Sequence, residues 1–104
     1  MTLDEFKTTL SQASPPAVTA VLRALWHDAR GDWDAAHKVA QDVDGEAGAW
    51  VHAYLHRKEG DRDNAAYWYD RAKRPVAADA LDAEWERLAS HLLGLWRAAA
   101  DSAL

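Results

Sequence analysis

The stretch Trp50 to Asp61, WVHAYLHRKEGD, sets two histidines four residues apart and a glutamate three further on. On a helix turning about 100° per residue, His52, His56 and Glu59 project to one side with Leu55 among them. Trp50, Ala53 and Tyr54 take nearly the opposite side. Two imidazoles and a carboxylate one turn on can ligate a divalent ion such as zinc. The spacing is not that of HExxH hydrolases, because Ala53, Tyr54 and Leu55 stand between the histidines and no glutamate base does. A histidine near a helix C-terminus also has a structural use, bonding the last carbonyls and favouring the dipole. His52, His56 and Glu59 are thus the metal alternative to a reading in which no metal or other cofactor is bound.

A second polar group, His27, Asp28, Asp32, Asp34 and His37, surrounds Gly31. Asp32 is explained by N-capping and Asp34 by the positive end of a helix dipole. Trp50, Tyr54, Tyr67, Trp68 and Tyr69 are dense enough to line a ligand groove, combining apolar bodies with polar tips. Three consecutive aromatics spread over about 200° of a helix, so Tyr67 or Trp68 is expected to be exposed while Tyr69 packs inward. Arg57-Lys58 and Arg71-Lys73-Arg74 lie near helix ends, where the dipole accounts for them. Ser11 and Ser14 have no nearby His-Asp pair, and no glycine-rich phosphate loop is present, so no catalytic residue is assigned.

The elements that must position these groups read as helices throughout. Apolar residues make up 49% of the 104, with six tryptophans, many alanines and leucines, and no alternating strand pattern. The absence of cysteine excludes disulfides and thiolate ligands. A net charge of -5 opposes nucleic-acid binding, which needs excess Lys and Arg to displace counterions. The first residues lack a basic region followed by an apolar one, and no stretch reaches the roughly 18 apolar residues of a membrane span. A soluble, cytoplasmic protein with no membrane partner is the expectation.

Thr2 and Glu5 form a capping box opening a short helix with Leu3, Phe6 and Leu10 on one face, stopping near Ser11. Ser14 with Pro15 is expected to open the next, reaching about Arg30. Gly31-Asp32 and Gly60-Asp61 then each read as a left-handed helix stop followed by a new N-cap. These pairs lie 29 residues apart, and laying Val21–Ala36 over Trp50–Ala65 without a gap matches Ala24 with Ala53, His27 with His56, Asp34 with Asp63 and Ala36 with Ala65. Only this histidine recurs, since Arg23 and Arg30 stand opposite His52 and Glu59. The second helices should run from about Trp33 to Val43 and from Arg62 to Lys73, ended by Gly45 and Pro75. A last helix, about residues 79–100, carries Leu81, Trp85, Leu88, Leu92, Leu95 and Ala99 in one apolar stripe, widened by Leu93 and Trp96.

The run from Gly60 to Ala72, followed by Pro75, resembles the second half of a tetratricopeptide repeat, with Ala65, Tyr69 and Ala72 in its small, aromatic and small positions. Arg62 stands where an aromatic is usual, Pro75 comes early, and the period is 29 residues instead of 34. The upstream unit keeps Gly31, Trp33 and Ala36. The resemblance implies one all-α domain of about six helices over residues 1–104. Its antiparallel hairpins, about 15–44 and 46–74, would stack in a right-handed array, with the helix at about 79–100 capping the last repeat or pairing with its copy in a homodimer. It also implies a protein- or peptide-interaction module without catalysis, for which Trp50, Tyr54, His27, His52, His56, Arg57, Tyr67 and Trp68 are the candidate contacts. The rival reading is a metal- or small-molecule-binding protein, or an enzyme, using the histidines and carboxylates around the two Gly-Asp turns.

Overall fold

The computed structural model describes residues 1–102. The capping box forms as expected: the Glu5 amide donates to Thr2 Oγ1 at 3.1 Å and the Thr2 amide to Glu5 Oε1 at 3.0 Å, opening α1 (Leu3–Thr8). A 3-10 turn, Thr9–Ser11, ends it. The next helix, α2 (Ala20–Ala29), starts well after the expected Ser14–Pro15, so the first hairpin begins near residue 20 and not near 15. A residue preceding proline is pushed out of the α region, and in Ser14-Pro15-Pro16 this acts on two residues in succession. Thr19, extended at φ -62°, ψ 160°, is where the chain turns helical. The Trp26 indole donates to the Thr9 carbonyl, and Arg30 to the carbonyls of Leu10 and Gln12, tying α1 and its turn to α2.

The two Gly-Asp turns are alike. Gly31 and Gly60 adopt φ of 83° and 89°, a region that glycine enters without a Cβ penalty. The Asp32 amide then reaches back to the His27 carbonyl and the Asp61 amide to the His56 carbonyl, both at 2.9 Å, which satisfies carbonyls that a helix end leaves free. Each aspartate caps the following helix through its side chain, Asp32 on the Ala35 amide and Asp61 on the Asn64 amide. The helices so joined, α2 with α3 (Trp33–Gln41) and α4 (Gly45–Glu59) with α5 (Arg62–Arg71), pack closely, and α3 packs on α4. Ala24, Ala53, Ala36 and Ala65, the small residues matched by the 29-residue overlay, are all at least 98% buried. Gly45, expected as a stop for the helix before it, is instead the first residue of α4.

Helix α5 ends differently, for Lys73 occupies the left-handed region at φ 59° with no glycine to relieve it. Its exposed pairing with Glu46 at 3.2 Å contributes little. Lys73→Gly is therefore expected to raise stability by about 0.5–1 kcal/mol, read as a higher urea midpoint at unchanged slope; a lower midpoint would contradict it.

The final helix, α6 (Leu81–Ser102), does not extend the stack beyond α5 as a cap of the last repeat would. It lies across α4 and α2, the first helices of both hairpins, and touches α1. Trp85 stacks on Phe6 with centroids 5.9 Å apart and donates its indole N–H to the Leu25 carbonyl. Leu88, Ala89, Leu92 and Leu93 are buried, whereas Leu95 and Ala99, expected on the same buried stripe, are exposed. The packed elements end before α6 does. No helix among the described residues is long and apolar enough to cross a membrane, and all six are α-helices with no strand.

Two carboxylates are buried, Glu84 in the first turn of α6 and Asp28 near the end of α2. Glu84, wholly inaccessible, accepts from the Trp50 indole at 3.1 Å, the Tyr69 hydroxyl at 2.6 Å and Arg57 at 2.8 Å. Asp28 accepts from the Tyr54 hydroxyl at 2.8 Å and from Lys58 at 3.0 Å. Burial, reinforced by these carboxylates, pushes both tyrosines well above their usual range, so both hydroxyls remain donors.

Candidate metal centre

Packing of α3 on α4 brings His37 against His52 and His56, which stand one turn apart on α4. The Nε2 atoms of His37 and His52 are 3.0 Å apart. Ring centroids are separated by 4.8 Å for His37 and His52, 5.3 Å for His37 and His56, and 4.8 Å for His52 and His56. One ligand nitrogen from each lies within 4.8 Å of the other two. His56 donates Nδ1–H to Glu59 Oε1 at 2.7 Å, so Nε2 is the nitrogen on the side away from Glu59's bond.

Aromatic walls hold these rings in place. Trp33, one turn before His37 on α3, stacks on it with centroids 4.9 Å apart and planes 7° apart, and is itself anchored by its indole N–H to the Leu55 carbonyl. From α5, Trp68 stacks on His52 at 4.0 Å. His52 and His56 are 7% and 6% exposed, and His37 is half-buried. Burial, with the neighbouring imidazoles adding repulsion, lowers His52 to about 4 and His37 in the same direction. At neutral pH both rings are therefore uncharged, the form that binds a metal.

That depression has a stability consequence whose sign is fixed. The unfolded chain takes up a proton on His52 near 6.5 and the folded one only near 4, so the unfolded state binds more protons between those values. Stability is full above about pH 6.5 and falls as pH drops toward 4, by about 2–3 kcal/mol for His52, with His37 adding in the same direction. Denaturant titrations of wild type and His52→Gln across this range check it: the variant should lose much of the dependence, and equal slopes would contradict the assignment.

The grouping differs from the one expected from spacing: Glu59 stands behind His56, bonded to its outer nitrogen, and the side chain that lies close to both His52 and His56 is His37. Among the described residues, the groups close enough to share one ion are His37–His52–His56 and His56–Glu59–Asp61. The polar group expected around Gly31 is divided: Asp28 is buried with Tyr54 and Lys58, Asp32 caps α3, Asp34 lies in the first turn of α3, and His27 sits edge-on to Trp26. The His27 and His56 rings do not share a role, although their carbonyls serve the same turn. Trp50 and Tyr54, at 3% and 2% exposed, face the interior with their polar tips on Glu84 and Asp28, and Arg57 is turned to Glu84. Each borders a different surface pocket, so the three do not share one groove. Tyr67 is the exposed aromatic at 53%, Trp68 is intermediate and Tyr69 is buried.

Beside the trio runs a groove of about 530 Å³ whose walls include Ala40, Val43, Ala49, His52, Trp68 and Arg71. No protein-family model matches this chain, and comparison with curated proteins and with solved structures finds no match.

Proposed function

We propose that this chain is a metal-binding helical protein in which His37, His52 and His56 together hold one divalent transition ion, zinc foremost. The observation that carries the reading is the approach of three imidazole nitrogens to within 4.8 Å of one another, two of them at 3.0 Å. Ligands of a tetrahedral zinc at about 2.0–2.1 Å lie about 3.3 Å from each other, close to the 3.0 Å of the His37–His52 hydrogen bond, which the ion would replace as the rings turn toward it. Glu59 on His56 matches the carboxylate that commonly orients a ligand histidine and raises its basicity. Three protein nitrogens leave a fourth position open, as in zinc sites that bind an exogenous ligand and unlike closed structural sites.

Calorimetric titration of tag-free protein with zinc tests this. One ion per chain is expected, with His37→Ala and His52→Ala abolishing binding and Glu59→Gln weakening it about 10–100-fold. Zinc affinity that is absent, or untouched by both histidine changes, would end the proposal.

A protein- or peptide-interaction role of tetratricopeptide type is the second reading. The repeated Gly-Asp hairpin favours it. Because α6 covers the first helices of both hairpins, the surface left for a partner is on α3 and α5, where Tyr67 and Arg71 lie exposed.

A further inference from the structure

We propose that this chain associates with itself head to tail, the exposed end of α6 in one copy lying in an apolar groove on α5 of the next. Two surfaces that the fold leaves open carry the contact, and neither involves the histidine trio. The first is the place where the stack would receive another helix. In the first hairpin Trp33 and Ala36 stand on α3, which packs on α4, and the Trp33 indole reaches the Leu55 carbonyl. Their counterparts in the 29-residue overlay are Arg62 and Ala65 of α5. There the chain between α5 and α6, residues 74–80, runs without helix or strand and leaves a groove of about 510 Å³.

Ala65, Val76, Ala77 and Leu81 give this groove apolar walls. Its charged walls are two arginines, Arg57 and Arg62, with no carboxylate among the lining residues. Glu84 answers Arg57 at 2.8 Å, whereas Arg62 has no ion pair among the described residues, and Asp61 beside it is engaged in capping α5. As the first residue of α5, Arg62 stands at the helix end where the dipole disfavours a cation. The end unit of a helical stack ordinarily turns a polar face outward.

The second surface is on α6, which runs about two and a half turns beyond Leu93, its last buried residue. Leu95 is 49% exposed, and Ala98 and Ala99, which share its face, are exposed as well. Asp101 follows Ala98 by three residues, so it stands beside that ridge, and it too has no ion pair among the described residues. An apolar helical ridge flanked by an acid thus matches an apolar groove walled by an unpaired base, at the place where α3 receives a helix. Leu81, in the groove, and Leu95, on the ridge, lie about 21 Å apart along one helix, so a chain cannot join its own two surfaces. Contact between unlike surfaces does not close on two copies by symmetry and extends to a ring or a row.

Sedimentation velocity of the full chain in the presence of a chelator, from about 10 μM to 1 mM, tests this. The mean mass of the wild type should rise with concentration. Leu95→Lys and Arg62→Glu, both changes at exposed side chains, should each need at least about tenfold more protein to associate. Mixed together, the two variants should pair and stop at two chains, because one retains a sound groove and the other a sound ridge. A wild type that stays monomeric at about 1 mM overturns the proposal, as does a mixture of variants that fails to pair. Association lost in Leu95→Lys but kept in Arg62→Glu would mean that α6 ends pair with each other, and overturns the groove as their receiver.

Discussion

Glu84→Ala should lower the unfolding free energy by about 3–5 kcal/mol, the usual cost of removing one partner from a buried ion pair. Glu84 is fully buried and is the common acceptor for α4, through Trp50 and Arg57, and for α5, through Tyr69. Without it, a guanidinium that is 80% buried keeps only the Asp79 carbonyl and the more distant Asp79 carboxylate, and two buried donors lose their acceptor. Desolvated donors without partners are expensive, and nothing nearby replaces the carboxylate. Glu84→Gln preserves shape but brings an amide N–H₂ against existing donors, so about half the loss is expected. Urea unfolding of both variants measures this, and a loss under about 1 kcal/mol for Glu84→Ala would mean that the network is peripheral to folding.

Zinc at 100 times its dissociation constant should stabilise the wild-type fold by about 2.7 kcal/mol, because an ion bound only by the native state shifts unfolding by mass action. For a chain of this length that is a rise of roughly 10–20 °C in melting temperature. His37→Ala should melt at the same temperature with and without zinc, even though His37 is partly exposed and its removal costs the apo protein little packing. The comparison separates two roles of the trio: rings that merely pack would give a zinc-independent melt in the wild type as well. A zinc-dependent rise that survives His37→Ala would exclude the trio and point to the second group, His56, Glu59 and Asp61.

How far these features could be read in the sequence depended on how local their causes are. The Thr2 capping box and the two Gly-Asp turns are made by neighbours in the chain, and all three formed where their residues stand. Pro15 suits a first helical turn, but Pro16 after it disfavours the α region there, and α2 starts only at Ala20. The stripe on α6 announced a buried face but could not say which helices would cover it, and it overran its cover at Leu95. His52 and His56 announce each other by a spacing of four. His37 joins them only through the packing of α3 on α4, which no local pattern encodes. Glu59 projects to the same side of α4 as His52 and His56, but one turn beyond His56 it meets that ring's outer nitrogen instead of a point shared with His52. Glu84 gave no signal, since among Asp82 and Glu86 it looks like one more acid favouring a helix N-terminus.

X-ray absorption of the zinc-loaded protein shows whether three imidazoles converge on one ion. The expected spectrum has a first shell of four nitrogen or oxygen atoms at about 2.0–2.1 Å with the outer-shell scattering of three imidazole rings. One imidazole or none, or a shell built mainly of carboxylate and water oxygens, would contradict the site formed by His37, His52 and His56.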